Sequence, residues 1–94
     1  MVKHIVVYTL KEGVEKEAAV EKIASLLEPL VGKIEGLLWM EVNATYQGDV
    51  DYVLYSEFES QEALSAYQVH PDHLAAKEQF ADLIDKRTCA DYEY

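Results

Sequence analysis

The segment His4-Ile5-Val6-Val7-Tyr8-Thr9-Leu10 is largely apolar on both sides. Drawn as a strand, it turns His4, Val6, Tyr8 and Leu10 one way and Ile5, Val7 and Thr9 the other. Tyr52 to Phe58 has the same habit, with Tyr52, Leu54, Ser56 and Phe58 on one face and Val53 and Tyr55 on the opposite one. A sheet built from such strands needs cover on both faces. What the chain can become therefore depends on how much else it has to lay against them.

The remaining pattern supplies two more strands and two helical regions. The first strand is predicted over Lys3 to Leu10, ended by Lys11-Glu12-Gly13. From about Val14 to Val31 an amphipathic helix is expected, since Val20, Ile23, Leu27, Leu30 and Val31 recur at helical spacing with Lys and Glu between them. Pro29 and Gly32 mark its fraying end. Leu37 to Ala44 predicts a second strand, Gln47-Gly48-Asp49 a turn, and Tyr52 to Phe58 a third strand. Ser60 is placed to cap a short helix that carries Ala63, Leu64 and Tyr67. That helix stops where Pro71 disfavours a helical His70, and Pro71 then opens another helix running to about Asp85. Lys86 to Tyr92 closes the chain as a fourth strand.

The order is β-α-β-β-α-β, a ferredoxin-like α+β fold in one domain, residues 1–94. Its helices can cover only one face of a four-stranded sheet. A second copy of the chain is the simplest cover for the other face, so a homodimer packed sheet on sheet is expected.

Charge narrows the function classes. Eight basic against 18 acidic residues give a net charge of −10, which repels nucleic acid and anionic membranes, and no basic run offsets it. No apolar run approaches the ~18–20 residues of a membrane span. Lys3, His4 and Lys11 interrupt the first apolar run, and no small-residue cleavage site follows, so no signal peptide is expected. Cys89 is the only cysteine. It allows no internal disulfide and fits a reducing, cytoplasmic setting.

Chemistry concentrates in Tyr67-Gln68-Val69-His70-Pro71-Asp72-His73, which holds two of the chain's three histidines. Tyr67 falls near the end of one helix and His73 in the first turn of the next, where the helix dipole opposes charging of the imidazole. A protonated tyrosine beside a neutral histidine can polarise a ketone and remove a neighbouring proton, which is enolisation chemistry. His4, Val6, Tyr52 and Leu54 share the sheet face expected to meet this segment, and His70 adjoins it. Together these residues outline a pocket for a small aromatic or polyketide-like molecule. The same residues also admit a structural reading: Tyr67 as a core aromatic, His70 as a helix cap and His73 bonded to a backbone carbonyl. No metal or cofactor is expected. His70 and His73 lie three apart, but Pro71 breaks the helical register between them, and no Cys cluster or glycine-rich phosphate loop is present. Cys89 reads as a buried strand thiol.

Several of these pieces together resemble the stress-responsive dimeric α+β barrel (Dabb) domain family across nearly the full length. They are Val2-Lys3-His4-Ile5-Val6, Phe58-Glu59-Ser60 with Glu62-Ala63, Tyr67-x-x-His70-Pro71-x-His73, Asp91-Tyr92, and Trp39 in the second strand. The resemblance implies a homodimer whose two sheets form a shared barrel. The plant polyketide cyclase that makes olivetolic acid is similar too. By that likeness, the tyrosine and second histidine of a cofactor-free aldol cyclisation would fall on Tyr67 and His73, and a pocket histidine on His4. Tyr52 stands where that cyclase has a further pocket histidine, so its substrate does not carry over. Two readings follow. One is a small-molecule binder or acid–base enzyme, in the manner of a lyase, cyclase or isomerase. The other is a non-catalytic stress-response or assembly domain.

Overall fold

In a computed structural model that describes residues 1–94, the chain runs β1 (Val2–Leu10), α1 (Lys16–Leu27), β2 (Leu37–Ala44), β3 (Tyr52–Phe58), α2 (Gln61–Gln68), α3 (Pro71–Glu78) and β4 (Ile84–Glu93). The four strands form one sheet in the order β2-β3-β1-β4, with every neighbouring pair antiparallel. This is the ferredoxin-like α+β arrangement, with the second helical region divided into α2 and α3 at the expected break before Pro71. No helix is long and apolar enough to cross a membrane.

Local chemistry sets the ends. α1 begins two residues later than its periodicity predicts. Gly13 sits at φ +85°, and the Val14 N–H closes a turn onto the Lys11 carbonyl, which keeps Val14 out of the helix. The Glu15 carboxylate then caps α1 by accepting from the Ala18 N–H at 2.5 Å. At the other end Pro29 has no N–H to continue the ladder, and the chain tightens into a 3-10 turn over Glu28–Leu30 instead of running helical to Val31. Ser60 caps α2 as expected, its hydroxyl accepting from the Ala63 N–H at 3.1 Å.

The last helical region is shorter than predicted. α3 stops at Glu78, a 3-10 turn covers Ala81–Leu83, and β4 starts at Ile84 rather than Lys86. The Phe80 N–H bonds to the carbonyl three residues back, at 3.1 Å, and Phe80 itself leaves the helical region at φ −133°. Leaving the helix buries its ring in the core. Burying a phenyl side chain stabilises by about 1.5–3 kcal/mol, more than one further helical residue contributes.

One face of the sheet is closed. Val2, His4, Val6 and Tyr8 of β1 and Tyr52, Leu54, Ser56 and Phe58 of β3 are all buried beneath the helices, with Val20, Ile23 and Leu27 of α1 against them. The opposite face has no helix. Ile5, Val7, Val53 and Tyr55 are half-buried there, and Trp39 is 50% exposed. β4, at the sheet edge, is exposed over nearly its whole length.

Candidate functional site

The break between α2 and α3 builds the site. After Tyr67 the backbone turns, the His70 N–H reaching the Tyr67 carbonyl at 3.1 Å. His70 is extended at φ −65°, ψ 135°, as a residue before proline prefers, and its Nδ1 accepts from the Asp72 N–H at 3.1 Å. α3 therefore starts in a new direction and carries His73 back over Tyr67. Their ring centroids lie 4.2 Å apart at 32°, and Phe58 of β3 packs 5.0 Å from Tyr67 on its other side. The His73 Nδ1 stands 3.4 Å from the Gln68 carbonyl, a long contact.

This stack opens onto a cavity of ≈ 200 Å³ between the helices and the sheet. Tyr67 and His73 line it, with His4 and Tyr8 of β1 and Leu54 of β3. Lys77 of α3 and Arg87 of β4 complete its polar wall. Burial holds the Tyr67 hydroxyl well above the usual phenol range, so it stays protonated and can only donate to an anion or carbonyl. The His73 imidazole moves the other way. Burial lowers its pKa, the Gln68 carbonyl partly opposes this, and the charges of Lys77, His4 and Arg87 push it further down. A neutral base and a neutral donor thus lie side by side at the cavity. The sequence traces the low basicity of His73 to the helix dipole; in the structure burial is the larger cause.

Three residues expected in the pocket do not line it. Val6 is fully buried in the core and does not reach the cavity wall. Tyr52 lies flat against Tyr8, with centroids 4.5 Å apart at 8°, and its hydroxyl is buried without a hydrogen-bond partner. His70 is occupied as the cap of α3. Alternation along a strand correctly puts Val6 and Tyr52 on the covered face, but the cavity occupies only part of that face.

The antiparallel register of β1 and β4 adds what the sequence reading missed. His4 lies opposite Asp91, Val6 opposite Cys89 and Tyr8 opposite Arg87, so all three β4 side chains stand on the helix side. The His4 Nδ1 pairs with the Asp91 carboxylate in a short contact. Cys89 is exposed rather than buried, and its Sγ is 3.7 Å from the same His4 nitrogen and 3.6 Å from the Asp91 carboxylate. His4, Cys89 and Asp91 are the one group of side chains placed to share a metal ion. Burial, and then Asp91, hold the Cys89 thiol above its ordinary pKa, which favours the protonated form over a ligating thiolate. Alternation applied to an antiparallel β1–β4 pair would have found this cluster.

Known proteins carry the same assembly of elements. A dimeric protein of unknown function with a ferredoxin-like fold from Bacteroides fragilis superposes with a TM-score of 0.90 at 32% identity, covering 99% of this chain and 95% of that one. A dimeric ferredoxin-like protein of unknown function from Thermobifida fusca superposes with a TM-score of 0.84 at 24% identity, over 99% and 90%; at that identity it speaks for the fold alone. The stress-response A/B barrel domain-containing protein HS1 of Arabidopsis thaliana is 30% identical over 97 residues, which is 98% of this chain and 88% of that protein. The stress responsive A/B barrel domain model matches residues 2–94, from the first residue of β1 to one residue past the end of β4. With His4, the Tyr67–His73 break and Asp91 all inside that span, the chain belongs to the stress responsive A/B barrel (Dabb) family.

Proposed function

We propose that this protein is a homodimer that binds a small aromatic or polyketide-like molecule between its helices and sheet and transforms it by cofactor-free acid–base chemistry. The observation that carries this is the Tyr67–His73 contact at the cavity wall, 4.2 Å between ring centroids. A ketone oxygen accepting from the Tyr67 hydroxyl would place its α-carbon near His73. The imidazole takes the α-proton, the C–H electron pair becomes the enolate double bond, and the oxygen bears the charge against the Tyr67 O–H. Return of the proton to the same carbon gives exchange alone; in a conjugated enolate, delivery of the proton from imidazolium to a different carbon completes an isomerisation. Attack of the enolate carbon on a second carbonyl of the same molecule breaks that C=O π bond, and the resulting alkoxide takes the proton back from imidazolium, completing an aldol cyclisation.

Deuterium exchange into the methyl group of 4-hydroxyacetophenone, followed by NMR, tests this. Tyr67→Phe and His73→Ala should each slow the protein-dependent exchange by on the order of 100-fold. Equal exchange by the wild type and both folded variants would remove the assigned roles.

A second reading has its own support. His70 caps α3, His4 is paired with Asp91, and Tyr67 lies between Phe58 and His73 in a packed stack. In a non-catalytic stress-response or assembly domain these contacts are the whole role of the residues. His73→Ala should then lower stability by roughly 1–3 kcal/mol, and an unchanged melting temperature would count against it.

The dimer rests on the uncovered sheet face and on the dimeric relative from Bacteroides fragilis. Sedimentation at low micromolar concentration should give a dimer; a monomer alone would refute it. The single thiol suits a reducing compartment such as the cytoplasm.

A further inference from the structure

The chain has 18 Asp and Glu against 8 Lys and Arg, yet none of the eleven residues lining the cavity is acidic. The two permanently charged groups on its wall are both positive: Lys77, in the last turn of α3, and Arg87, which β4 places opposite Tyr8. Neither has a carboxylate within 4 Å; the one ion pair of the structure joins His4 to Asp91, and Asp91 stays outside the wall. No Lys or Arg of the chain has a carboxylate within 4 Å; what sets Lys77 and Arg87 apart is that they share one cavity wall free of acidic groups, a wall suited to a ligand that brings its own negative charge. The neutral polar groups beside them are suited to the same task. The Tyr67 hydroxyl is a donor, and Arg87 stands close enough to the Tyr8 hydroxyl to oppose the upward effect of burial on its pKa.

Size limits the rest of the ligand. A cavity of about 150 Å³ holds benzene, so ≈ 200 Å³ suits one ring with a short substituent. Leu27, Leu54 and Phe80 give that ring an apolar seat.

We propose that the cavity takes a monocyclic carboxylic acid in its ionised form, with the carboxylate held by Lys77 and Arg87 and the ring against Leu27, Leu54 and Tyr67. Arginine offers a planar fork matched to a carboxylate, and lysine adds a point charge that reaches over it. This deepens the ligand-pocket reading and rests on it. It also gives binding a chemical consequence. The groups facing His73 are Lys77 on its own helix, Tyr67 and the Gln68 carbonyl from α2, His4 from β1 and Arg87 from β4. Lys77, His4 and Arg87 all disfavour the imidazolium. A carboxylate between Lys77 and Arg87 neutralises that field, so the bound anion makes His73 a stronger base than it is in the free protein. A neutral analogue would occupy the cavity without this effect.

Two matched pairs of probes test the assignment: phenylacetate against 2-phenylethanol, and benzoate against benzyl alcohol. Each is titrated calorimetrically at low salt into the wild type and into the Lys77→Gln/Arg87→Gln variant, with the His73 imidazole followed by NMR. Each acid should bind wild type at least about tenfold more tightly than its alcohol, the gain of one good charge-assisted contact. The double variant should lose that preference, and the His73 pKa should rise only with the acids. Alcohols that bind as well as the acids and shift His73 resonances equally would overturn the charge inference while leaving the pocket standing. If neither series disturbs His73, the pocket reading falls with it. Both substituted residues are exposed, and the acid-to-alcohol ratio in the wild type decides the matter even without the variant.

Discussion

The two faces of the sheet are made of similar residues and have opposite fates. On the covered face β1 and β3 contribute Val6, Tyr8, Leu54 and Phe58, and every one is buried by the chain's own helices. On the open face the same two strands contribute Ile5, Val7, Val53 and Tyr55, which stay half-buried beside an exposed Trp39. Strand composition therefore does not decide which face becomes the interior. The connections do: all three helices pack on one side, and the other is left for a partner. Polar chemistry follows the same division. His4, Ser56, Tyr67 and His73 all lie on the covered side, where burial shifts pKa values and leaves a hydroxyl unpaired. The open face is suited to association and the covered face to chemistry.

Adjacent residues of β3 give the sharpest way to break this contrast. Leu54→Lys puts an unpaired charge in the interior and should cost about 4 kcal/mol or more, enough to leave a small domain largely unfolded by circular dichroism. Val53→Lys, one residue away on the other face, should leave each chain folded. It should weaken the proposed dimer on the order of 100-fold or more, read by sedimentation equilibrium. If Val53→Lys unfolds the chain as Leu54→Lys does, the faces are not separable and the open side belongs to the folding core. A Val53→Lys protein that stays dimeric at low micromolar concentration would place the partner elsewhere.

This division also marks how far the residues could be read in advance. β2 and β3 have the ends their sequences predict, Leu37–Ala44 and Tyr52–Phe58, because β-branched and aromatic runs there are bounded by turn residues. The α2–α3 break was legible because proline acts locally on His70. The end of α3 was not. The apolar pattern continues through Phe80, Leu83 and Ile84, and only the finished core shows that Phe80 packs better by leaving the helix. The His4–Asp91 pair joins positions 87 residues apart, and Lys77 and Arg87 look like solvated surface residues until β4 is paired with β1. Tyr52 shows the converse limit: its face was read correctly, but a shared face is wider than a cavity.

Tyr52 offers a smaller and opposite test of the covered face. A buried hydroxyl without a partner costs roughly 1–3 kcal/mol relative to a state in which water satisfies it. Tyr52→Phe keeps the ring and its stacking on Tyr8, where the centroids are 4.5 Å apart, and removes only the orphaned group. The melting temperature should rise. A fall would mean that the hydroxyl has a partner in solution, such as an internal water, and that this part of the covered face is wetter than its packing suggests.

The smallest expected effect is a pH dependence confined to the covered face. His73 has its pKa depressed below the ordinary 6.5, by burial first and by the charges of Lys77, His4 and Arg87 after it. The unfolded chain therefore binds a proton at His73 more readily than the folded one. Between the depressed value and 6.5 the unfolded state holds more protons, so stability rises with pH through that window. The contribution is fully present above pH 6.5 and is lost as the pH falls below it. Urea melts of the wild type between pH 5 and 7.5 should lose stability toward the acid end, and His73→Gln, which cannot titrate, should show a flatter profile. Parallel profiles for the two proteins would mean that His73 is as well solvated folded as unfolded. The burial that lowers its basicity would then be absent, and the imidazole would stand in water instead of packed against Tyr67 at the cavity wall.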